Sequence, residues 1–170
     1  MGQGIERLND LSGAAAEAEL SKCCGSRRWA REVASRRPFR HAEDLLNVAD
    51  EVWLSLDAAD WLEAFSHHPK IGERRAAEGQ TAGERAWSAE EQSGMTAADA
   101  AARDELARLN REYERRFGYI YIVCAAAKSS AELLSLLRER LCNDSTTEIK
   151  VAAEEQRLIT RLRLGKLLGA

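Results

Sequence analysis

Apolar residues recur along most of this chain at intervals of three and four, a spacing that places them on one face of an α-helix. Leu45, Ala49 and Val52 show this pattern, and Trp61 and Phe65 form a second apolar stripe that core packing explains. Divided at capping and turn residues, the pattern predicts helices over residues 14–24, 28–35, 43–54, 58–66, 96–116, 129–142 and from 145 onward.

Polar residues at the predicted helix ends support these boundaries. Asn9 and Ser12 can cap the first helix, and Gly118 is a natural C-terminal cap for the long helix that starts at Thr96. The pairs Ser129 with Glu132 and Ser145 with Glu148 have the Ser-x-x-Glu spacing of a capping box. The last two helices are therefore expected to begin at these serines.

Two stretches lack the helical period. Residues 120–123 are β-branched and aromatic, so we expect an extended, buried segment there. Residues 69–87 are polar and contain Gly72, Gly79 and Gly83, which is typical of a loop. Functional side chains often lie on loops that a rigid scaffold positions.

Composition favours helix over strand. Ala, Leu, Glu and Arg dominate, and only 2 prolines interrupt 170 residues. This length suits one domain with a core of its own. We therefore predict an all-α protein, a single irregular helical domain over 1–170 with roughly eight helices.

Charge and cysteine content exclude several classes of function. A net charge of −3 argues against a duplex nucleic-acid binder, which usually presents a basic face. The apolar run 120–127 is too short to span a membrane, and Glu6, Asp10 and Glu17 interrupt any signal peptide. The spacing of the four cysteines fits neither a zinc site nor a disulfide scaffold. We expect reduced thiols and a cytoplasmic protein.

Histidine is scarce, with 3 in the whole chain, yet His67 and His68 adjoin Pro69. A residue before proline is pushed away from helical geometry, so His68 should lie off the helix axis. An imidazole there could act as an acid or base near neutral pH. It could equally interact with the helix dipole or pack on Trp61. Neighbouring side chains diverge, so the two histidines make a poor metal pair.

Two further groups are ambiguous when taken alone. Ser88 and Glu91 form another capping box, which also creates a helix start whose free N–H groups can hold a polar ligand. Arg163 lies on the last predicted helix beside other arginines, and nothing in the spacing selects it. Surface exposure is the default expectation for such an arginine.

Taken together, several segments carry more information than each one alone. They are Phe65–Gly72, Ser88–Gly94, Leu109–Ala125, Leu137–Leu141 with Asn143, then Glu148, Ala152 and Glu154–Glu155, and Ile159–Leu164, with a weaker match at Arg37–Phe39. In this order and spacing they resemble the OHCU decarboxylase family, whose members act on 2-oxo-4-hydroxy-4-carboxy-5-ureidoimidazoline in urate catabolism. The resemblance implies an all-helical fold, a carboxy-lyase activity that yields (S)-allantoin, no metal or organic cofactor, and a homodimer.

The resemblance also implies roles for individual residues. The histidine directly before proline is the family's catalytic one, which is His68 here, and Glu91 and Arg163 complete the catalytic set. The implied substrate-binding residues are Pro69, Ser88, Ala89, Glu90, Gln92, Tyr121, Ile122, Val123, Cys124 and Ala125. The implied partner is therefore a small-molecule substrate, with no nucleic acid and no membrane.

The sequence departs from the family pattern at Ala127, where relatives often carry glycine, and His67 could compete with His68 as proton donor. Two other hypotheses remain at this point. The chain could process a related ureido or imidazolone acid in the same pocket. It could instead be a helical interaction module in which the histidines and capping boxes are structural.

Overall fold

The computed structural model describes residues 2–70, 85–87 and 100–169. Those ranges contain eight helices of nine residues or more and no β-strand, which confirms the predicted all-α class. The helices are α1 Gly2–Asp10, α2 Gly13–Ser21, α3 Arg27–Ser35, α4 Ala42–Ser55, α5 Ala58–Ser66, α6 Ala100–Phe117, α7 Ser130–Arg140 and α8 Ser145–Leu167.

Most helix ends agree with the capping residues in the sequence. The Ser12 hydroxyl accepts from Ala15 N–H at the start of α2 (3.3 Å). Gly118 closes α6 with φ +82° and donates its N–H to the Glu114 carbonyl (2.9 Å). Both halves of the capping box of Ser129 with Glu132 form at the start of α7. These local predictions are confirmed.

Two predictions of local structure were wrong, and one helix was missed. Asn9 does not cap α2, since its side-chain amide binds the backbone N–H and C=O of Phe39 (2.9 and 2.8 Å). Ser145 and Glu148 do not form a capping box, because Asp144 accepts the N–H groups of Thr146 and Thr147 (both 2.9 Å) while Glu148 is fully buried. Helix α1, which buries Ile5 and Leu8, was not predicted.

The chain divides into two compact units, of which the first comprises Met1–Ala64 and Arg157–Ala170. Its core contains the fully buried side chains of Leu20, Trp29, Leu45 and Leu164. Trp29 also donates its indole N–H to the Ala49 carbonyl (3.0 Å), so the polar end of this large ring is satisfied inside the core.

The second unit comprises Phe65–Gln156. Leu106, Leu109 and Tyr113 of α6 pack there against Leu133 and Leu137 of α7. Residues 121–125 join this core as a buried segment that contains neither helix, turn nor bend. This agrees with the extended, buried segment predicted at 120–123, except that Ile120 is only half-buried. Across the part of the chain that the model describes, no helix is long and apolar enough to cross a membrane.

Candidate active site

The two histidines lie where α5 ends. Helix α5 stops at Ser66, and His68 follows in a bend outside the helix, as its place before Pro69 predicts. The His68 N–H donates to the Phe65 carbonyl (3.1 Å), which closes the last turn. The Ser66 hydroxyl lies 3.4 Å from Nδ1 of His67. Both imidazoles are half-buried, so each is partly accessible.

Contacts on either side hold this turn in the second unit. The ring of Phe65 packs against that of Tyr119, with 5.4 Å between their centroids. Lys70 forms an ion pair with Glu114 on α6 (2.7 Å between Nζ and Oε2). The turn with His68 and Pro69 is therefore attached to the residues that lead into the buried 121–125 segment.

Side chains hold the backbone of that segment through three of its polar groups. Arg140 donates from Nη1 to the Ile122 carbonyl (2.6 Å). Glu155 accepts the Cys124 N–H, and Lys128 donates to the Cys124 carbonyl (both 2.7 Å). Among residues 2–70, 85–87 and 100–169, no hydrogen bond reaches the N–H or C=O of Val123, which is only 4% exposed. Buried backbone groups normally have a partner, so these two are candidates to bind a ligand.

A buried network surrounds the guanidinium of Arg140. Glu148 accepts from its Nη2 and Nε (2.6 and 2.8 Å), and also from the Tyr113 hydroxyl and the Asn143 amide. Burial is the largest single influence and acts to lower the pKa of Arg140, but the hydrogen bond that Arg140 donates to Glu148 and the electrostatic interactions with its neighbours together outweigh it, so the pKa is raised. Burial also raises the pKa of Tyr113 and Tyr121. The guanidinium therefore stays charged and both phenols stay neutral.

Arg140, Glu148 and Glu155 belong to the segments that carry the family resemblance, but sequence reasoning gave none of them a functional role and placed Glu148 only in a capping box with Ser145. One signal was available for Arg140, since it follows Leu133 and Leu137 at helical spacing on the apolar face of α7. A charged residue on a buried face requires a partner in the fold. The spacing alone could not identify that partner.

Arg163 lies in the first unit, on α8, and is 4% exposed, so the default expectation of a surface arginine was wrong. Its positive charge acts on the buried thiols of Cys23 and Cys24. Burial raises the pKa of Cys24 to about 12, although hydrogen bonds and Arg163 oppose this shift. A buried arginine within a mostly apolar core is consistent with a functional role, and equally with a structural one.

The predicted binding residues Ser88, Ala89, Glu90 and Gln92 and the predicted catalytic residue Glu91 lie outside the described residues. Of the remaining predicted residues, the model places His68, Pro69 and 121–125 in the second unit and Arg163 in the first. In the described ranges, no three His, Cys, Asp or Glu side chains are grouped so as to hold a metal ion.

An open groove of about 360 Å³ runs beside the first half of α8 in the second unit. Its walls include Thr146, Lys150 and Glu154, together with Glu155, whose carboxylate also binds the Cys124 N–H. This volume falls within the range of small-molecule sites. Glu155 therefore connects the groove with the 121–125 segment.

Comparison with known proteins places the chain in one family. A family model for OHCU decarboxylase matches residues 9–165. The uric acid degradation bifunctional protein TTL of Arabidopsis thaliana is 36% identical over 154 residues, which are 90% of this chain and 47% of that protein. The chain thus spans about half the length of that relative. The 2-oxo-4-hydroxy-4-carboxy-5-ureidoimidazoline decarboxylase of Amia calva is 33% identical over 136 residues, 80% of this chain and 77% of that protein.

Solved structures agree with this relationship. A crystal structure of OHCU decarboxylase in the presence of (S)-allantoin superimposes with a TM-score of 0.77 at 36% identity, over 89% of this chain and 98% of that one. A crystal structure of (S)-allantoin synthase has a TM-score of 0.69 at 16% identity, over 96% of this chain and 53% of that one, and so shares the fold.

Proposed function

Because the chain belongs to the OHCU decarboxylase family, we propose that it decarboxylates 2-oxo-4-hydroxy-4-carboxy-5-ureidoimidazoline to (S)-allantoin in urate catabolism, without a cofactor. The family relationship confirms the family predicted from the sequence. One structural observation supports the proposal for this chain: Phe65, just before the bend with His68, packs on Tyr119, which leads into the segment in which the buried Val123 peptide groups have no partner among the described residues.

The proposed reaction needs no external electron sink. The carbon–carbon bond to the carboxylate breaks, carbon dioxide leaves, and the electron pair delocalises toward the adjacent ring carbonyl or imine. A proton then replaces the carboxylate on one face of that carbon, which fixes the configuration of the product. The protein must therefore place the carboxylate, stabilise developing charge and deliver one proton.

In this proposal three side chains divide these tasks. His68 is the acid–base group at the reacting carbon, and its partial exposure leaves the imidazole accessible to a ligand. Arg163 binds an anionic oxygen of the substrate through charge-assisted hydrogen bonds. Glu91 orients His68 or the ureido and ring nitrogens. The Val123 N–H and C=O would bind complementary groups on the edge of the ring.

The first test compares the two adjacent histidines. The unstable substrate is generated in situ from urate by its upstream enzymes, and circular dichroism follows the appearance of enantiopure allantoin. His68→Ala should lower the rate by roughly 10²–10⁴-fold, the usual contribution of general acid–base catalysis. His67→Ala is the matched control and should retain turnover, because the histidine before proline carries the role.

Two outcomes would contradict the proposal. If the folded wild-type protein did not accelerate allantoin formation over spontaneous decay, the activity would be wrong. If His67→Ala abolished turnover while His68→Ala did not, the assignment of the acid–base group would be wrong.

We propose in addition that the protein is a homodimer in the cytoplasm, where its four cysteines stay reduced. Leu158 and Leu162, one turn apart on α8, are 37% and 41% exposed. Asp50 pairs with Arg157 and Arg161 beside them (both 2.6 Å), and Leu54, one turn further along α4, is 68% exposed. Exposed apolar residues of this kind are typical of a contact between subunits.

Analytical ultracentrifugation tests the dimer. The wild-type protein should sediment at twice the mass of the chain, and Leu158→Glu with Leu162→Glu should shift it to the monomer. Lys150→Glu, on the same helix but away from these leucines, is the control and should leave the dimer intact. A wild-type monomer at micromolar concentration would contradict this part of the proposal.

A further inference from the structure

The ion pair between Arg140 and Glu148 is deeply buried. Glu148 is 0% exposed and Arg140 is 6% exposed. Desolvation of two charges costs about as much as their attraction returns, so an apolar pair of similar size is often equally stable or more stable. Stability by itself is therefore a weak reason for this pair to exist.

The pair makes one contact that an apolar pair could not make. Two nitrogens of the guanidinium are engaged by Oε1 of Glu148, and the remaining one, Nη1, donates to the Ile122 carbonyl (2.6 Å). The cation also lies over the ring of Tyr121, 4.7 Å from its centroid. Glu148 thus sets the orientation of a planar fork, and that fork holds the backbone of the buried segment.

The contact between Arg140 and the Ile122 carbonyl determines which backbone groups of the segment can bind a ligand. In a chain that runs without a turn, consecutive residues direct their N–H and C=O groups to opposite edges. Ile122 and Cys124 have their carbonyls bound by Arg140 and Lys128, and the Cys124 N–H is bound by Glu155. One edge is therefore attached to the protein, and Val123 presents its two groups on the other.

We propose that Arg140 and Glu148 are positioning residues, which fix the backbone of residues 122–124 so that the Val123 N–H and C=O are presented to the ligand. The identity of that ligand as the ureidoimidazoline substrate rests on the proposed function. Neither side chain needs to touch the substrate. Their effect is to remove the conformational freedom of the peptide groups that bind it.

The decisive variant replaces both charges, Arg140→Met together with Glu148→Met, because this leaves no unpaired buried charge. The matched control is Arg138→Met with Glu139→Met, which removes the same two charges from exposed positions of α7. We expect the buried double variant to fold, with a Tm below that of the control because the Tyr113 hydroxyl, the Asn143 amide and the Ile122 carbonyl lose their partners. Its kcat/KM should fall about 10²-fold, the cost of misplacing a binding group by about 1 Å.

A second readout follows the backbone itself. In ¹H–¹⁵N spectra, the amides of Val123 and Cys124 should shift or broaden in the buried double variant and keep their wild-type positions in the control. Wild-type kcat/KM in the buried double variant, or unmoved Val123 and Cys124 amides, would overturn the proposal.

A conservative variant covers the case in which the double variant fails to fold. Arg140→Lys keeps a positive charge beside Glu148, but an ammonium lacks the planar fork that reaches Glu148 and Ile122 together. It should remain folded, shift the same two amides and lose kcat/KM to a similar degree. Wild-type values for both would overturn the proposal. If the wild-type protein lacked the decarboxylase activity, the proposed function would fail, while the amide shifts would still decide the positioning role.

Discussion

The φ angle of residue 127 explains why glycine is favoured at this position, where the chain has alanine. Ala127 has φ +61°, in the left-handed region that alanine rarely adopts. Relatives that carry glycine at this place avoid the steric cost of a β-carbon there. The alanine is therefore a strained residue just after the 121–125 segment.

Replacing this alanine should stabilise the protein. We expect Ala127→Gly to raise the free energy of unfolding by roughly 0.5–1 kcal/mol, since the relief of left-handed strain exceeds the added flexibility of the unfolded chain. Ala126→Gly is the control: Ala126 lacks a positive φ, so glycine there should lower stability. Urea unfolding measures both, and a lower value for Ala127→Gly than for Ala126→Gly would contradict the explanation.

The four cysteine thiols differ in their exposure to solvent. Cys23, Cys24 and Cys124 are buried, and burial raises the pKa of Cys24 to about 12, whereas Cys142 is exposed. Because the thiolate is the reactive species, a disulfide reagent at pH 8 should modify one thiol in the native protein and four after denaturation. Cys142→Ser should abolish the native reaction, and rapid labelling of a second thiol would contradict the burial.

At the scale of one element, the start of α8 shows how a capping pattern can mislead. Ser145 has the correct spacing to Glu148, yet the residue before it accepts the free N–H groups. Asp144 is a stronger cap because its carboxylate also interacts with the positive end of the helix dipole. Glu148 is thereby released to pair with Arg140 in the core.

Two alanine variants test whether Asp144 or Ser145 caps α8. Asp144→Ala should lower the Tm by a few degrees, and Ser145→Ala should leave it nearly unchanged. Hydrogen bonds from Thr147 lower the pKa of Asp144 below 3.8. Its stabilising effect is therefore complete above that pH and is lost as the pH falls through the lower, folded value, so the difference between wild type and Asp144→Ala should shrink in strong acid.

At the scale of the whole molecule, buried thiols and phenols make the free energy of unfolding depend on pH under alkaline conditions. Burial raises the pKa of the Cys23 and Cys24 thiols above 9.0 and that of the Tyr113 and Tyr121 phenols above 10.0. The unfolded chain loses these protons first. Stability is therefore constant with respect to these groups below about pH 9 and falls above it.

Urea unfolding between pH 8 and pH 11 checks this expectation. The free energy of unfolding should decrease above about pH 9 by up to about 1.4 kcal/mol per pH unit for each protonated buried group. Cys24→Ala removes one such group and should make the decrease shallower. A free energy that stayed constant or rose between pH 9 and pH 11 would contradict the burial of these residues.

The candidate site could be predicted only in part. The bend at His68 follows from the proline after it, and the burial of 121–123 follows from β-branched and aromatic residues, because both are local effects. The burial of Arg163 did not follow from spacing, since arginines along one helix differ only in what other elements contact them. The proposed role of Arg163 therefore came from the family resemblance and not from its position in the helix.

The sequence by itself determined the all-α class, most helix boundaries and the family, because a helix is encoded within three or four residues and motifs keep their order along the chain. Only the tertiary structure decided that Glu148 and Tyr113 meet at the guanidinium of Arg140, which in turn binds the Ile122 carbonyl. These residues are up to 35 positions apart. The choice of a buried partner depends on which helices pack together, and no local spacing contains that information.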